Sequence, residues 1–124
     1  MPEKQVPSKA RDEEVGAGDE GVAVIYATFP SGETARALAR QLVERGLAAC
    51  VNIIPGMTAV YRWEGAIHED REVVAVIKTR RTLGEAVVMA VCDGHSYDNP
   101  AAIQIGIEGG SRAYIDWLLA QTAP

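Results

Sequence analysis

The chain has 124 residues, 48% of them hydrophobic and 23% charged, which is one domain's length with enough apolar material for a core. Twelve Lys and Arg stand against 17 Asp and Glu, a net charge of −5, and that balance argues against a nucleic-acid binder, whose affinity comes from basic residues neutralising phosphates. The apolar runs are all far shorter than the ~20 residues a membrane-spanning helix needs, and the two cysteines, Cys50 and Cys92, do not make a disulfide framework.

Residues 1–20 hold three basic and six acidic side chains and only two large aliphatics, Val6 and Val15. Such a segment buries too little to offset its ordering entropy and reads as a disordered acidic tail. It has neither the basic nor the apolar region of a secretory signal, so the cytoplasm is the expected compartment. The folded domain is expected over 21–124.

Val22 to Phe29 is a nearly continuous apolar run and reads as a buried strand. Pro30 stops it, and Ser31 is a good N-cap for a helix to about Arg45. Ala35, Leu38, Ala39, Leu42 and Val43 fall on one helical face, and Gly46 stands where a left-handed C′ residue belongs, with Leu47 supplying its hydrophobic contact. A second apolar run, Ala48 to Ile54, is interrupted at Pro55-Gly56, which marks a bulge or an edge, and resumes from Met57 to Trp63. Glu64-Gly65 reads as a hairpin tip. The return strand, Ala66 to Thr79, ends in the β-branched run Val73 to Ile77.

Thr82-Leu83-Gly84-Glu85 has capping-box spacing, which predicts a helix to about Cys92 with Leu83, Val87, Ala90 and Val91 inward and Gly94 as its stop. A turn-rich segment, His95 to Pro100, precedes a last strand in which Ile103, Ile105 and Ile107 share one face. Ser111 caps a short terminal helix carrying Tyr114, Trp117 and Leu118.

The order β-α-β-β-α-β plus a C-terminal helix predicts an α+β, ferredoxin-like fold with an antiparallel sheet and helices on one face. Hairpin strands of about 15 residues span on the order of 50 Å. A domain of this size is roughly 35 Å across. The long central hairpin therefore overhangs its own core, carrying Tyr61, Trp63 and Ile67 at its tip, and association with other subunits is expected to cover them.

Several strings resemble the CutA divalent-cation-tolerance family: Ala48-Ala49-Cys50-Val51-Asn52-Ile53-Ile54-Pro55-Gly56, Tyr61-Arg62-Trp63-Glu64-Gly65, Ile77-Lys78-Thr79, His95-Ser96-Tyr97-Asp98-Asn99-Pro100 and Tyr114-Ile115-Asp116-Trp117. The resemblance covers Val22 to Leu119. It implies a homotrimer similar in build to the PII signalling proteins, copper or other divalent-cation binding, and a role in metal tolerance. The family's usual His-Pro-Tyr-Glu is His95-Ser96-Tyr97-Asp98 here, which removes a φ restraint and shortens the carboxylate. A copper site suggested for some members falls on Ala27, Gly94 and His95, of which only His95 is a donor in this chain.

Among single residues, His95 follows a predicted helix end and reads as a capping His or as a metal ligand, with Asp98 three residues on as a co-ligand. Cys50 reads as a packed thiol or a Cu(I) ligand, Cys92 as structural, and Met57 and Met89 as gap fillers. His68 belongs to a solvated acidic stretch. Lys78, the sole Lys after the tail, joins Tyr97 and Asp98 as a small-ligand contact in the alternative reading, a PII-like ligand module at subunit clefts. An enzyme is not expected, because nothing places a base beside Cys50. Gly-rich phosphate loops and an aromatic-basic RNA-binding pattern are absent from the sequence.

Overall fold

The computed structural model of the chain describes residues 21–122; the expected acidic tail, 1–20, lies outside them. Strand β1 (Val22–Phe29) leads into helix α1 (Gly32–Glu44), then β2 (Cys50–Trp63), β3 (Ala66–Arg80), α2 (Gly84–Asp93), β4 (Ala102–Gly106) and α3 (Arg112–Gln121). The strands form one four-stranded sheet in the order β2-β3-β1-β4, with every neighbouring pair antiparallel. This is the predicted α+β, ferredoxin-like arrangement.

Local chemistry sets the boundaries. The Ser31 side chain accepts from the Thr34 N–H at 3.2 Å and starts α1. At the other end Gly46 has φ +73°, Gly46 N–H donates to Val43 O at 3.1 Å, and Leu47 N–H donates to Leu42 O at 2.9 Å. Those two bonds are the Schellman closure, available because glycine carries no Cβ. Glu64 and Gly65 both have positive φ, the two-residue turn whose twist matches that of its strands.

One helix start differs from expectation. Thr82 lies in a single 3-10 turn, Arg81–Leu83, and caps nothing; α2 begins at Gly84 behind Leu83 without a side-chain cap. Arg81 N–H donates to Gly21 O at 2.8 Å at the end of the β1–β3 ladder, and the chain enters the 3-10 turn at that residue, so Thr82 lacks the extended backbone an N-cap needs.

Ile25, Ala75 and Ile77 of the sheet, Leu42 of α1, and Val87 and Val91 of α2 are essentially inaccessible to solvent and form the core. Buried Thr79 keeps its hydroxyl satisfied by donating to Leu47 O at 2.6 Å. Helices α1 and α2 both cover this face. Helix α3 does not join them, as a one-sided arrangement would require. It packs through Ile115 and Leu118 on Val22, and Arg80, directly opposite Val22, donates to the Leu119 and Thr122 carbonyls near its C-terminus. Val22 and Arg80 lie on the sheet face opposite Ile25, so α3 caps one end of the open face. Farther along that face Thr28 and Val74 are buried, while Ile103 and Ile105 of β4 stay exposed.

Candidate functional site

The bulge in β2 builds the site. The register slips between Ile54 and Met57, with Gly56 at φ +77°. Before the slip Asn52 and Ile54 share the open face; after it Met57, Ala59, Tyr61 and Trp63 do, because one extra residue inverts the alternation. The bulge thus turns the arm's aromatic residues toward Asp70 and Glu72 of β3 and Tyr26 of β1. Together with Tyr97, Asp98 and Asn99 of the turn after α2, they line an open groove of about 740 Å³.

His95 anchors that turn. Its Nε2 lies 2.6 Å from the Thr28 carbonyl oxygen, and its Nδ1 accepts the Tyr97 N–H at 3.1 Å. A carbonyl only accepts, so Nε2 carries the proton and Nδ1 the lone pair. The ring stacks on Phe29 with centroids 4.8 Å apart, and the Tyr97 ring lies 4.6 Å away on another side. His95 therefore bonds back to β1, and the expected role of capping α2 with its side chain falls to no residue: the helix closes through Gly94 N–H to Ala90 O.

Two phenol–carboxylate pairs mark the groove. Tyr97 donates to Glu72 Oε2 at 2.9 Å, and Tyr61 donates to Asp70. Burial, together with the bond to Glu72 and its charge, pushes the Tyr97 phenol up to about 12. The bond to Asp70 is the first cause raising Tyr61. Tyr61 also stacks on His68 at 5.4 Å.

The predicted residues divide between two ends of the sheet. Tyr97 and Asp98 line the groove, and His95 stands behind them, bonded to Thr28 O and stacked on Phe29. Lys78 donates to Tyr114 Oη at 3.2 Å, lies 5.2 Å from that ring's centroid, and faces Cys50 across the β2–β3 ladder. It is four residues along β3 from Val74, the partner of Thr28, roughly 13 Å away. Lys78 and Cys50 thus share no ligand with His95 inside one subunit. Among the described residues no three His, Cys, Asp or Glu side chains form a ready metal cluster. Cys92 and Met89, expected to pack, are exposed on the outer side of α2, and both cysteines are free. Sequence reasoning missed Glu72 and the Tyr61–Asp70 pair. The latter was readable, since a two-residue turn fixes Tyr61 opposite His68 and diagonal to Asp70.

A family model described as CutA1 divalent ion tolerance protein matches residues 23–121. The chain is 44% identical over 99 residues to "Protein CutA, chloroplastic" of Arabidopsis thaliana, covering 80% of this chain and 54% of that protein. It is 42% identical over 99 residues to "Divalent-cation tolerance protein CutA" of Thermus thermophilus, covering 80% of this chain and 96% of that one. The crystal structure of CutA1 from Oryza sativa superposes with a TM-score of 0.80 at 41% identity, over 83% of this chain and 94% of that chain. The chain spans about half the length of the two plant relatives it matches.

Proposed function

The chain belongs to the CutA1 divalent ion tolerance family, and from that premise we propose that it is a cytoplasmic homotrimer that binds copper or another divalent cation through His95 in metal-ion response. The working unit is the domain over 21–124, with residues 1–20 as a tail. It acts by binding and not by catalysis.

One observation carries the cation reading. The His95 ring donates its N–H to a backbone carbonyl, which leaves the lone pair on Nδ1, where it accepts the Tyr97 N–H and would serve a cation by exchanging that bond; metal-ligating histidines are oriented through their other nitrogen in the same way. An imidazole donor suits Cu(II) and Zn(II), and Asp98, three residues on at the groove, supplies carboxylate. Cys50 stands apart on the open face and serves as a separate soft donor for Cu(I). Two free thiols fit a reducing compartment, and no helix among the described residues is long and apolar enough to cross a membrane.

The trimer reading rests on apolar surface. Val60 and Ile67 are 66% and 62% exposed on one side of the arm, with Tyr61 and Trp63 on the other and Ile103 and Ile105 on the open sheet face. Soluble proteins keep such contiguous surface for association.

The groove favours a second reading, a PII-like module taking a small ligand against Tyr97 and Asp98, with Lys78 of a neighbouring subunit completing the contact. Native mass spectrometry of the full chain with added zinc or copper tests the first reading. The expected result is a trimer of 13.3 kDa chains carrying ions that His95→Ala loses. A monomer, or ion binding that His95→Ala leaves unchanged, overturns it.

A further inference from the structure

The groove combines two attractions of one sign. Tyr61, Trp63 and Tyr97 bring aromatic rings to it, and Asp70, Glu72 and Asp98 bring carboxylates. Among the described residues none of the three carboxylates has a basic partner. Arg62, the one basic residue on the lining, alternates to the other face of the arm from Tyr61 and Trp63. The phenols hold two of the carboxylates in place without neutralising them. Tyr97 bonds Oε2 of Glu72 and Tyr61 bonds Oδ2 of Asp70, which leaves Oε1 and Oδ1 as acceptors. Burial first, then the bond and charge of Glu72, and last the charge of Asp70 raise the Tyr97 phenol, so both carboxylates act on one point of the groove. Ring faces and carboxylates are both negative, and such a lining attracts positive charge and repels anions.

We propose that the groove is a binding site for a small aliphatic di- or polyamine, with ammonium groups on Asp70 and Glu72 and methylenes against the rings of Tyr61 and Tyr97. Spacing selects this class. Asp70 and Glu72 share one face of β3 two residues apart, about 7 Å, the reach of a diamine with about four methylenes. A monoamine meets one carboxylate only, and a quaternary ammonium has no N–H to donate to either. Asp98, on the turn across the groove, takes a third ammonium. A metal ion needs donors converging on one point, and among the described residues no three such side chains do so. Carboxylates spread along a strand suit charges spread along a chain. The cavity, about 740 Å³, has room for one. The inference rests on the small-ligand reading of the groove and names the ligand's class. It owes nothing to His95, whose ring nitrogens are taken by Thr28 O and the Tyr97 N–H. It needs no contact from Lys78, whose charge has the ligand's sign.

The test is calorimetric titration of the full chain at low salt with putrescine, spermidine, butylamine, the dianion succinate and a lysine-rich peptide. Putrescine and spermidine are expected to bind, spermidine more tightly, and both to weaken as salt is added. Butylamine, with one ammonium, is expected to bind about tenfold more weakly than putrescine. Asp70→Asn and Glu72→Gln are each expected to weaken putrescine by about tenfold, down to the butylamine level. Tyr97→Phe keeps the ring but frees Glu72, and is expected to cost roughly two- to fivefold. Asp70 lies on the exposed arm, clear of the core, so Asp70→Asn decides the matter if Glu72→Gln does not fold. Putrescine binding that both carboxylate variants leave unchanged, or that butylamine matches, overturns the proposal. Succinate binding that Tyr97→Phe weakens, with no amine bound, keeps a small-ligand groove and overturns the amine. The peptide binding where the diamines do not overturns it in favour of a protein partner. If no probe of either sign binds, the small-ligand reading falls together with the inference.

Discussion

From Val73 to Ile77 strand β3 is buried at four of five positions, whereas from Ala66 to Arg71, on the same strand, every residue is exposed. Residue type does not separate the two halves, since Val60 and Ile67 of the arm are as apolar as the valines of the body. What separates them is the layer behind: α1 and α2 cover the body half at Val73, Ala75 and Ile77, and among the described residues none of the arm joins that core. Burial along a strand therefore reports its neighbours, not only its own pattern. The body carries the stability of the subunit, and the arm carries apolar surface whose free energy is realised only in an assembly.

The largest effect should come from the body. Leu42 is fully buried in α1, and Leu42→Ala is expected to cost about 2–5 kcal/mol through lost burial and a residual cavity. Denaturant unfolding should show this loss at every protein concentration. A loss that vanished at high concentration would place the subunit's stability in the assembly and break the contrast.

The arm should respond differently. Trp63 is 43% exposed in the subunit, so Trp63→Ala should leave the body's fold intact and act on association. A central interface tryptophan is worth about 2 kcal/mol or more, which corresponds to roughly a 30-fold change in dissociation constant. Analytical ultracentrifugation over a dilution series checks this. Wild-type association in the variant would show that the arm tip contacts nothing.

The same division governs what could be read from the sequence. Features closed by neighbours in the chain were legible: the Ser31 cap, the Gly46 closure, the Glu64-Gly65 turn and the bulge at Pro55-Gly56 all follow from residue chemistry within a few positions. The Thr82 capping box was equally good local chemistry and failed, because the chain leaves the β1–β3 ladder at the Arg81–Gly21 bond, sixty residues apart in sequence, straight into a 3-10 turn that takes Thr82 out of N-cap conformation. The site follows suit. His95, Tyr97 and Asp98 were found through a string of adjacent residues, whereas Glu72 was not, because its bond to Tyr97 spans 25 positions and is set by the docking of a turn on a strand. Lys78 and Cys50 were grouped with the site by residue type and lie at the other end of the sheet.

Tyr97 offers the subtlest probe, because it stands on the seam. Glu72 immediately precedes the first buried residue of β3, and the Tyr97 phenol ties the 95–100 turn to it at that boundary. Folding raises this phenol from 10.0 to about 12, first by burial and then by the bond and charge of Glu72. A raised value means that the native state binds the proton more tightly than the unfolded chain. The contribution is therefore fully present below pH 10 and is lost as pH climbs from 10 toward 12. The informative quantity is the difference between wild type and Tyr97→Phe, which cancels what the two proteins share. The phenylalanine variant should be slightly less stable at neutral pH, by about 1 kcal/mol or less for one partly exposed hydrogen bond. The two proteins should converge in melting temperature as pH passes 10, since the wild type then loses by ionisation what the variant lacks. A gap that stayed constant to pH 12 would mean that the phenol is held by packing alone, and the seam between body and arm would then owe nothing to the Tyr97–Glu72 bond.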